Sequence, residues 1–224
     1  MGPLNDTFAS KEVADLVRYA AALYAPYAPV VRALATCRPY ICPFDRLLPL
    51  VPFGATVLDV GCGQGLFLGL LAATGRVQRG FGTDIDDQKL DTARAMASRH
   101  RFSLAFRHEH ACPTIDERET SIVTAIDVVH HVPRASQRAF VAGLCQRVAD
   151  GGRLLIKEMA PEPTWMAHMN RLHDLVLART WIAHVSLPML CAWIEDEGLD
   201  VVETGTAQRL WYSHIWVLAR RRKQ

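Results

Sequence analysis

The chain has 224 residues, half of them hydrophobic, and a formal charge of only +2 at neutral pH. This length and composition fit one globular domain with a sizeable core and argue against general disorder. The near-neutral charge lacks the strong basic bias of a nucleic-acid-binding protein.

The cellular setting follows from what the sequence lacks. Six scattered cysteines form no CxxC pair and are interpreted as reduced thiols of a cytosolic protein. The N-terminus has no basic start followed by an apolar stretch, and no apolar run reaches the roughly 18 residues that cross a bilayer. The basic run at 220–223 is interpreted as a solvated tail, with weak contact to an anionic surface as the alternative. We expect a cytoplasmic monomer or homodimer without stable membrane insertion.

The first 53 residues are predicted to form an N-terminal helical cap before a main domain at 54–224. Ser10 is placed to cap a helix that continues through Val13, Leu16 and Ala20, which are apolar positions at helical spacing. Prolines then divide the rest of the cap into short segments. They are Pro26, Pro29, Pro39, Pro43, Pro49 and Pro52.

From residue 55 onward, predicted strands alternate with helices. Strands are expected at 56–60, 79–83, 102–106, 121–126 and 153–156. Helices are expected at 66–73 and 88–100, and after a capping Ser136. Short connections between such elements predict a parallel sheet with right-handed crossovers.

The end of the chain follows a different pattern. Helical segments at 165–185 and 188–197 precede two strands, at 199–204 and 210–219, with no helix between them. So short a link requires an antiparallel pair. The sequence therefore predicts an α/β fold with a seven-stranded, mostly parallel sheet whose last strand is antiparallel. Helices cover both faces, and a helical insertion at about 161–187 follows the fifth strand.

The most informative segment is Val57-Leu58-Asp59-Val60-Gly61-Cys62-Gly63-Gln64-Gly65, in which a buried strand leads through a glycine-rich turn into a helix. The glycines let the backbone turn sharply and let a ligand lie directly against it. Asp59 suits a ligand with an ammonium group. In a dinucleotide-binding fingerprint the last glycine or alanine would fall on Leu66, so the pattern departs from that class.

Two further segments follow neighbouring strands. Gly82-Thr83-Asp84-Ile85-Asp86 ends the second strand, where a carboxylate can accept hydrogen bonds from ribose hydroxyls. Ala125-Ile126-Asp127-Val128-Val129-His130-His131-Val132-Pro133 leaves the fourth strand. Because all three segments lie at strand carboxyl ends, they are expected to converge on one cleft.

Together these segments resemble the class I S-adenosylmethionine-dependent methyltransferases, particularly the broad small-molecule and lipid group (methyltransferase 11- or 25-like). VLDVGCGQG resembles their first motif, GTDID their second and AIDVVHHVP their fourth-strand motif. The resemblance covers residues 54–160 by sequence and 186–219 by topology. It implies a Rossmann-like fold that binds S-adenosylmethionine, releases S-adenosylhomocysteine and needs no metal.

The resemblance also implies roles for individual residues. Asp59 and the backbone of the glycine turn would hold the methionine end, Asp84 the ribose hydroxyls, and Ile85 the adenine face. Asp127 would lie below the sulfonium, although a strand-end cap is the alternative. The adenine edge would be met by Glu109 or by His110 with the Ala111 amide. The cofactor set is Asp59, Gly61, Cys62, Gly63, Gly65, Asp84, Ile85, His110, Ala111 and Asp127.

Catalytic and acceptor residues are less sharply indicated. His131, or else His130, is the candidate general base for an acceptor hydroxyl. Adjacent histidines seldom bind one metal ion, and no third ligand is evident nearby. The helical segment after the fifth strand is either a lid or core packing. Acceptor contacts are predicted for Tyr40, Arg46, His168 and Tyr212, and Arg38 is a further arginine placed to pair with a carboxylate.

The predicted function is therefore methyl transfer to a small molecule. O-methylation of an aromatic, carboxylic or lipid-like compound in bacterial secondary or lipid metabolism is favoured. An N- or C-methyltransferase, or a cofactor-binding module without turnover, remains the alternative. Leu66 argues against a nicotinamide-dependent dehydrogenase.

Overall fold

The computed structural model describes residues 4–109, 120–161 and 183–223. Three helices come first: α1 (Leu4–Leu23), α2 (Pro29–Ile41) and the short α3 (Phe44–Leu47). None of the described helices combines the length and the apolar character needed to cross a membrane.

Seven strands and four further helices follow in the described part of the chain. The strands are β1 (Ala55–Val60), β2 (Val77–Asp84), β3 (Leu104–His108), β4 (Ile122–Ile126), β5 (Arg153–Met159), β6 (Leu199–Arg209) and β7 (Tyr212–Arg221). The helices are α4 (Leu66–Ala73), α5 (Asp87–His100), α6 (Gln137–Gln146) and α7 (Leu187–Asp196). A 3-10 turn at Val129–His131 follows β4.

The strands form one sheet in the order β3-β2-β1-β4-β5-β7-β6. All neighbours are parallel except β7, which runs antiparallel to both β5 and β6. This arrangement confirms the predicted seven-stranded α/β fold with a reversed last strand. The strand order changes direction between β1 and β4, and in open α/β sheets ligands bind at such a switch point, beyond the strand carboxyl ends.

Two hydrophobic clusters cover the two faces of the sheet. Because successive strand residues point to opposite faces, Val57 and Ile122 pack with α1 to α5, whereas Leu58 and Val123 pack with α6 and α7. The N-terminal helices therefore share one core with the sheet. The division into a cap at 1–53 and a main domain stays a prediction.

Several boundaries differ from the sequence predictions. Ser10 does not cap a helix, because α1 already begins at Leu4. Pro39 does not end a segment but lies in the last turn of α2. Strand β3 begins two residues later than predicted, because Arg101 adopts a left-handed conformation and Phe102 still bonds to the Ala97 carbonyl at the end of α5.

Other differences concern helix ends and the proposed lid. Ser136 stands at the start of α6, but its side chain makes no capping hydrogen bond. Residues 183–186 are not helical. The rest of the predicted lid helix falls on 162–182, outside the described residues. Strand β6 is longer than predicted because its polar and glycine residues lie on the solvated edge of the sheet, whereas β7 has the predicted length and begins two residues later.

Candidate functional site

The turn after β1 is shaped by its glycines. Gly61 has φ +73°, and a Cβ added there would lie 2.5 Å from Cγ2 of Val128. Gly63 has φ +55° with open space beside it. The amides of Gly61 and Cys62 donate to the carbonyl of Thr83 at 2.8 and 2.9 Å, which ties the turn to the end of β2. A side chain at Gly61 would collide with the β4 segment, so the close approach requires glycine.

Asp59 lies in a buried position directly beneath this turn. Its side chain accepts a hydrogen bond from Thr124 Oγ1 at 2.6 Å, and the residue is only 2% exposed. The pKa of Asp59 is raised to about 7: burial raises it most, the hydrogen bond from Thr124 lowers it, and the nearby Asp84 adds a smaller increase. A cationic group arriving beside Asp59 would stabilise its ionised form. This environment fits the ammonium of a methionine end.

Asp84 lies on the other side of the turn, at the end of β2. Its Oδ2 accepts from the Gly63 amide at 2.7 Å and its Oδ1 from the Asp86 amide at 3.0 Å. Each carboxylate oxygen has a further lone pair for a ligand hydroxyl. The next residue, Ile85, is 71% exposed, so an apolar surface lies beside the carboxylate. This pair fits a ribose with an attached flat base.

Asp127 follows β4 and is turned into the protein. Its backbone has φ +58°, and its carboxylate is paired with the ammonium of Lys157 and, at 2.7 Å, with the guanidinium of Arg38. Burial acts to raise the pKa of Asp127, but Lys157 and then Arg38 outweigh it and hold the pKa below its ordinary range. Asp127 is thus a charged link between α2, β4 and β5. Its contact with the cofactor stays a prediction.

Glu158 holds the turn that carries the two histidines. Its Oε1 accepts from the amides of Val128 and Val129 at 2.9 and 2.7 Å, and its Oε2 lies 2.5 Å from Nδ1 of His130. Glu158 and His130 are both almost fully buried. His131 is exposed, and its ring centre lies 4.1 Å from that of His130. His131 is therefore the accessible member of the pair, and its catalytic role stays a prediction.

The same region brings together three groups that could bind a metal ion. Ligand atoms of Asp127, His130 and Glu158 all lie within 4.8 Å of one another. Glu158 was not predicted from the sequence as a metal ligand. Each group already has a protein partner, and Lys157 provides the positive charge beside Asp127. The prediction that no metal is needed remains untested.

The predicted acceptor residues fall into different environments. Tyr40 is half exposed and Arg46 has a side chain that is 60% exposed, whereas Tyr212 is buried and contacts the ring of His214. His168 lies outside the described residues. His110 and Ala111 lie outside them as well.

Glu109, the other candidate for the adenine edge, is engaged elsewhere. Its Oε1 accepts from the guanidinium of Arg147 at 2.5 Å. This ion pair ties the end of β3 to the end of α6. The structure therefore gives one oxygen of Glu109 a partner within the protein.

Sequence reasoning missed two residues that support the site. Lys157 and Glu158 are consecutive charged residues within the otherwise apolar β5, and this interruption was the available signal. Tyr24 donates from its hydroxyl to the carbonyl of Gln64 at 2.7 Å and so attaches α1 to the glycine turn. This hydrogen bond was not predicted from the sequence, because it joins residues 40 positions apart.

Comparisons with known proteins agree with this geometry. Residues 33–204 match the family model described as a methyltransferase domain. The ribosomal protein L11 methyltransferase of Paraburkholderia xenovorans is 32% identical over 103 residues, which cover 46% of this chain and 31% of that protein. The ubiquinone biosynthesis O-methyltransferase of Aeromonas salmonicida is 29% identical over 115 residues, covering 50% and 46% respectively. The matches thus span less than half the length of these relatives.

Solved structures share the fold at low sequence identity. The magnesium protoporphyrin IX methyltransferase of Synechocystis, solved with bound S-adenosylhomocysteine, superposes with a TM-score of 0.64 at 19% identity, over 92% of this chain and 93% of that one. A methyltransferase from Haloferax volcanii, in complex with its Trm112 activator, reaches 0.68 at 17% identity, over 85% and 93%. The family model covers most of the chain and the sheet has the expected strand order, so the chain belongs to the class I S-adenosylmethionine-dependent methyltransferase family.

Proposed function

We propose that this protein transfers the methyl group of S-adenosylmethionine to the oxygen of a small-molecule acceptor. The observation that carries the proposal is the pair of carboxylates, Asp59 and Asp84, on either side of a glycine turn at the β1–β4 switch point. One carboxylate suits an ammonium and the other suits two hydroxyls. S-adenosylmethionine carries both, an ammonium group on its methionine end and two hydroxyls on its ribose.

The bound cofactor supplies a methyl group already attached to a good leaving group. The protein therefore has to hold the acceptor in line and keep water out, and orientation of this kind is worth about 7–11 kcal/mol. In this chain the Gly61–Gly63 backbone and Asp59 would hold the amino-acid end, and Asp84 with Ile85 the nucleoside. The Asp127–Lys157–Arg38 cluster fixes the wall of the cleft on the β4 side.

An acceptor that keeps its proton at neutral pH also needs a base. His131 is exposed on the turn after β4, and Glu158 holds the neighbouring His130 beneath it. We assign His131 to take the proton from an acceptor hydroxyl. The role of His130 is then to position His131 through the turn and the ring contact.

A small acceptor is favoured over a macromolecule. The near-neutral net charge gives no support to a nucleic-acid acceptor, and one relative is by name an O-methyltransferase of ubiquinone biosynthesis. The other relative is by name a methyltransferase of a ribosomal protein, so N-methylation of a protein is the second candidate. We further propose that the protein acts in the cytoplasm, as a monomer or homodimer, without a metal ion.

Calorimetry tests the cofactor site directly. The protein would be titrated with S-adenosylmethionine, S-adenosylhomocysteine and NAD, and the titrations repeated with Asp84→Ala. Asp91→Ala is the matched control, because Asp91 is an exposed carboxylate on α5. We expect both sulfur ligands to bind the native protein and the control, with at least tenfold weaker binding to Asp84→Ala. Binding of NAD alone would overturn the proposal.

Turnover separates an enzyme from a binding module. Release of S-adenosylhomocysteine would be followed with panels of phenols, carboxylic acids and amines. Preference for hydroxyl acceptors, with kcat of His131→Asn falling more at low pH than at high pH, supports O-methylation assisted by a base. Preference for carboxylic acids, which are already ionised at neutral pH, supports O-methylation without one. Cofactor binding without acceptor-dependent release across the panels would favour the module without turnover.

A further inference from the structure

A groove lies between α3 and the β6–β7 pair, away from the cofactor turn. Its volume is about 400 Å³, which is within the range of small-molecule pockets. Of the residues that line it, Arg46 was predicted from the sequence to contact the acceptor. The lining consists of Arg46, the segment Gly205–Arg209 and Trp216.

The groove opens at the edge of the sheet where the cofactor motifs lie. Strand β6 runs parallel to β5, so its carboxyl end at Arg209 lies on the same edge as Asp127 after β4. Trp216 is the direct partner of Lys157 on β5 and of Gly205 on β6. Trp216 is therefore one strand spacing, roughly 5 Å, from the backbone of Lys157, and Gly205 is two spacings, roughly 10 Å, from it.

Trp216 forms a flat floor with an unused donor. A Cβ added at Gly205 would lie 2.0 Å from Cζ2 of Trp216, so the indole ring rests directly on the glycine backbone. Trp216 is only 7% exposed, and within the described part of the chain its Nε1 has no hydrogen-bond partner. A buried indole N–H ordinarily has a partner, and here the unpaired donor belongs to a residue that lines the groove.

Among the described residues, two arginines and one aspartate make ion pairs at the groove. The buried Asp45 is paired with Arg209, and Nε of Arg46 lies 3.6 Å from the same carboxylate. Two guanidinium groups therefore share one carboxylate. Among the described residues, Nε of Arg209 also has no hydrogen-bond partner. The side chain of Arg46 is 60% exposed, so this excess positive charge is accessible to a ligand.

We propose that this groove binds the anionic group of the methyl acceptor, a carboxylate carried on a flat, aromatic body. Arg46 pairs with the carboxylate, and Trp216 supports the ring. The inference rests on the proposed function and narrows it to acceptors whose carboxylate lies about two to three strand spacings, roughly 10–14 Å, from the cofactor cleft. Arg46 thus determines specificity and takes no part in the chemical step.

The indole N–H of Trp216 is a local probe for this site. Protein labelled with ¹⁵N at tryptophan would be titrated with benzoate at constant ionic strength, and the Trp216 signal assigned from Trp216→Phe. We expect a saturable shift of that signal with benzoate and none with benzyl alcohol, which has the ring without the charge. Arg46→Gln should weaken benzoate binding roughly tenfold, as loss of one charge-assisted hydrogen bond implies.

Arg220→Gln is the matched control, because Arg220 is exposed on β7 at the opposite edge of the sheet, beside the first residue of β5. It makes the same change in charge and should leave benzoate binding intact. Absence of a saturable Trp216 shift, an equal response to benzyl alcohol, or equal weakening in the two arginine variants would each overturn the inference. Calorimetry of S-adenosylhomocysteine on the native protein is independent of the groove, so failure of the proposed function would appear there and not in the Trp216 signal.

Discussion

Lys157 offers the sharpest test of the buried cluster at the site. Its side chain is fully buried in β5, and its ammonium is paired with the carboxylate of Asp127, which is 7% exposed. Replacing it by methionine keeps most of the side-chain volume and removes the charge. Of its two ion pairs with described residues, Asp127 would then retain the one with Arg38, which is 42% exposed and therefore more strongly screened by solvent.

The expected loss of stability follows from the uncompensated buried charge. Breaking a buried ion pair by removing one partner costs about 3–5 kcal/mol. Because Arg38 remains, Lys157→Met should fall at the lower end of that range. For a chain of this size the melting temperature would drop by roughly 6–12 °C.

The pH dependence identifies the cause. In the native protein the pKa of Asp127 lies below its ordinary value of 3.8, so its stabilising contribution is complete above pH 4 and is lost only in stronger acid. Without Lys157, burial raises the pKa of Asp127 above the unfolded value, and protonation then relieves the cost. The free energy of unfolding lost in the variant should therefore be larger at pH 8 than at pH 5.

Urea unfolding at several pH values, followed by circular dichroism, measures these quantities. The double variant Lys157→Met/Asp127→Asn removes both charges, and we expect it to recover at least half of the stability lost in the single variant. A loss below about 1 kcal/mol that does not change with pH would refute the reasoning, because such a value is typical of an exposed ion pair. A double variant no more stable than the single one would refute it as well.

Three further predictions concern the glycine turn and two buried titratable groups. Gly61→Ala should lower the free energy of unfolding, measured in urea, by roughly 1–3 kcal/mol more than Gly54→Ala does. Both glycines have φ +73°, but a Cβ added at Gly61 would meet Val128 within 4 Å, whereas one added at Gly54 would meet nothing within that distance. Equal losses of stability would exclude the contact with Val128 as the cause. Since burial raises the pKa of Asp59 to about 7, S-adenosylmethionine should bind more tightly at pH 8 than at pH 6 in calorimetry, and Asp59→Asn should remove this dependence. Burial and then Lys157 lower the pKa of His214 to about 3, so the free energy of unfolding should fall as the pH drops from 6.5 toward 3. His214→Phe should flatten that part of the pH profile of stability. An unchanged profile would mean that His214 is not the group responsible.

The strands of the sheet could be predicted because their residues have a local signature. Strand β1 was placed within one residue of its observed start, since its apolar run is typical of a strand buried on both faces. The predicted start of β3 was wrong by two residues because of the backbone conformation just before it. The left-handed Arg101 prolongs the end of α5, and a non-glycine residue in that conformation has no reliable sequence signal.

Some residues of the candidate site could likewise be predicted from the sequence, and some of its contacts could not. Asp59, Gly61 and Asp84 were found from the sequence because a strand, a turn and a helix place them within short segments of the chain. The partners of Asp127 were not found, because Arg38 and Lys157 are 89 and 30 residues away from it in sequence. Only the packing of α2 and β5 against β4 brings these charges together.

The sequence by itself determined the fold class, the reversed last strand and the glycine turn after β1, because each depends on short-range periodicity and on glycine conformation. Tertiary structure decided the partners of the two consecutive charged residues in β5: Lys157 pairs with Asp127, and Glu158 accepts from the amides beneath His130. It also decided that Arg46 and Trp216 line one groove. The physical reason is that strand order and register set these neighbours, and both depend on the packing of the whole sheet.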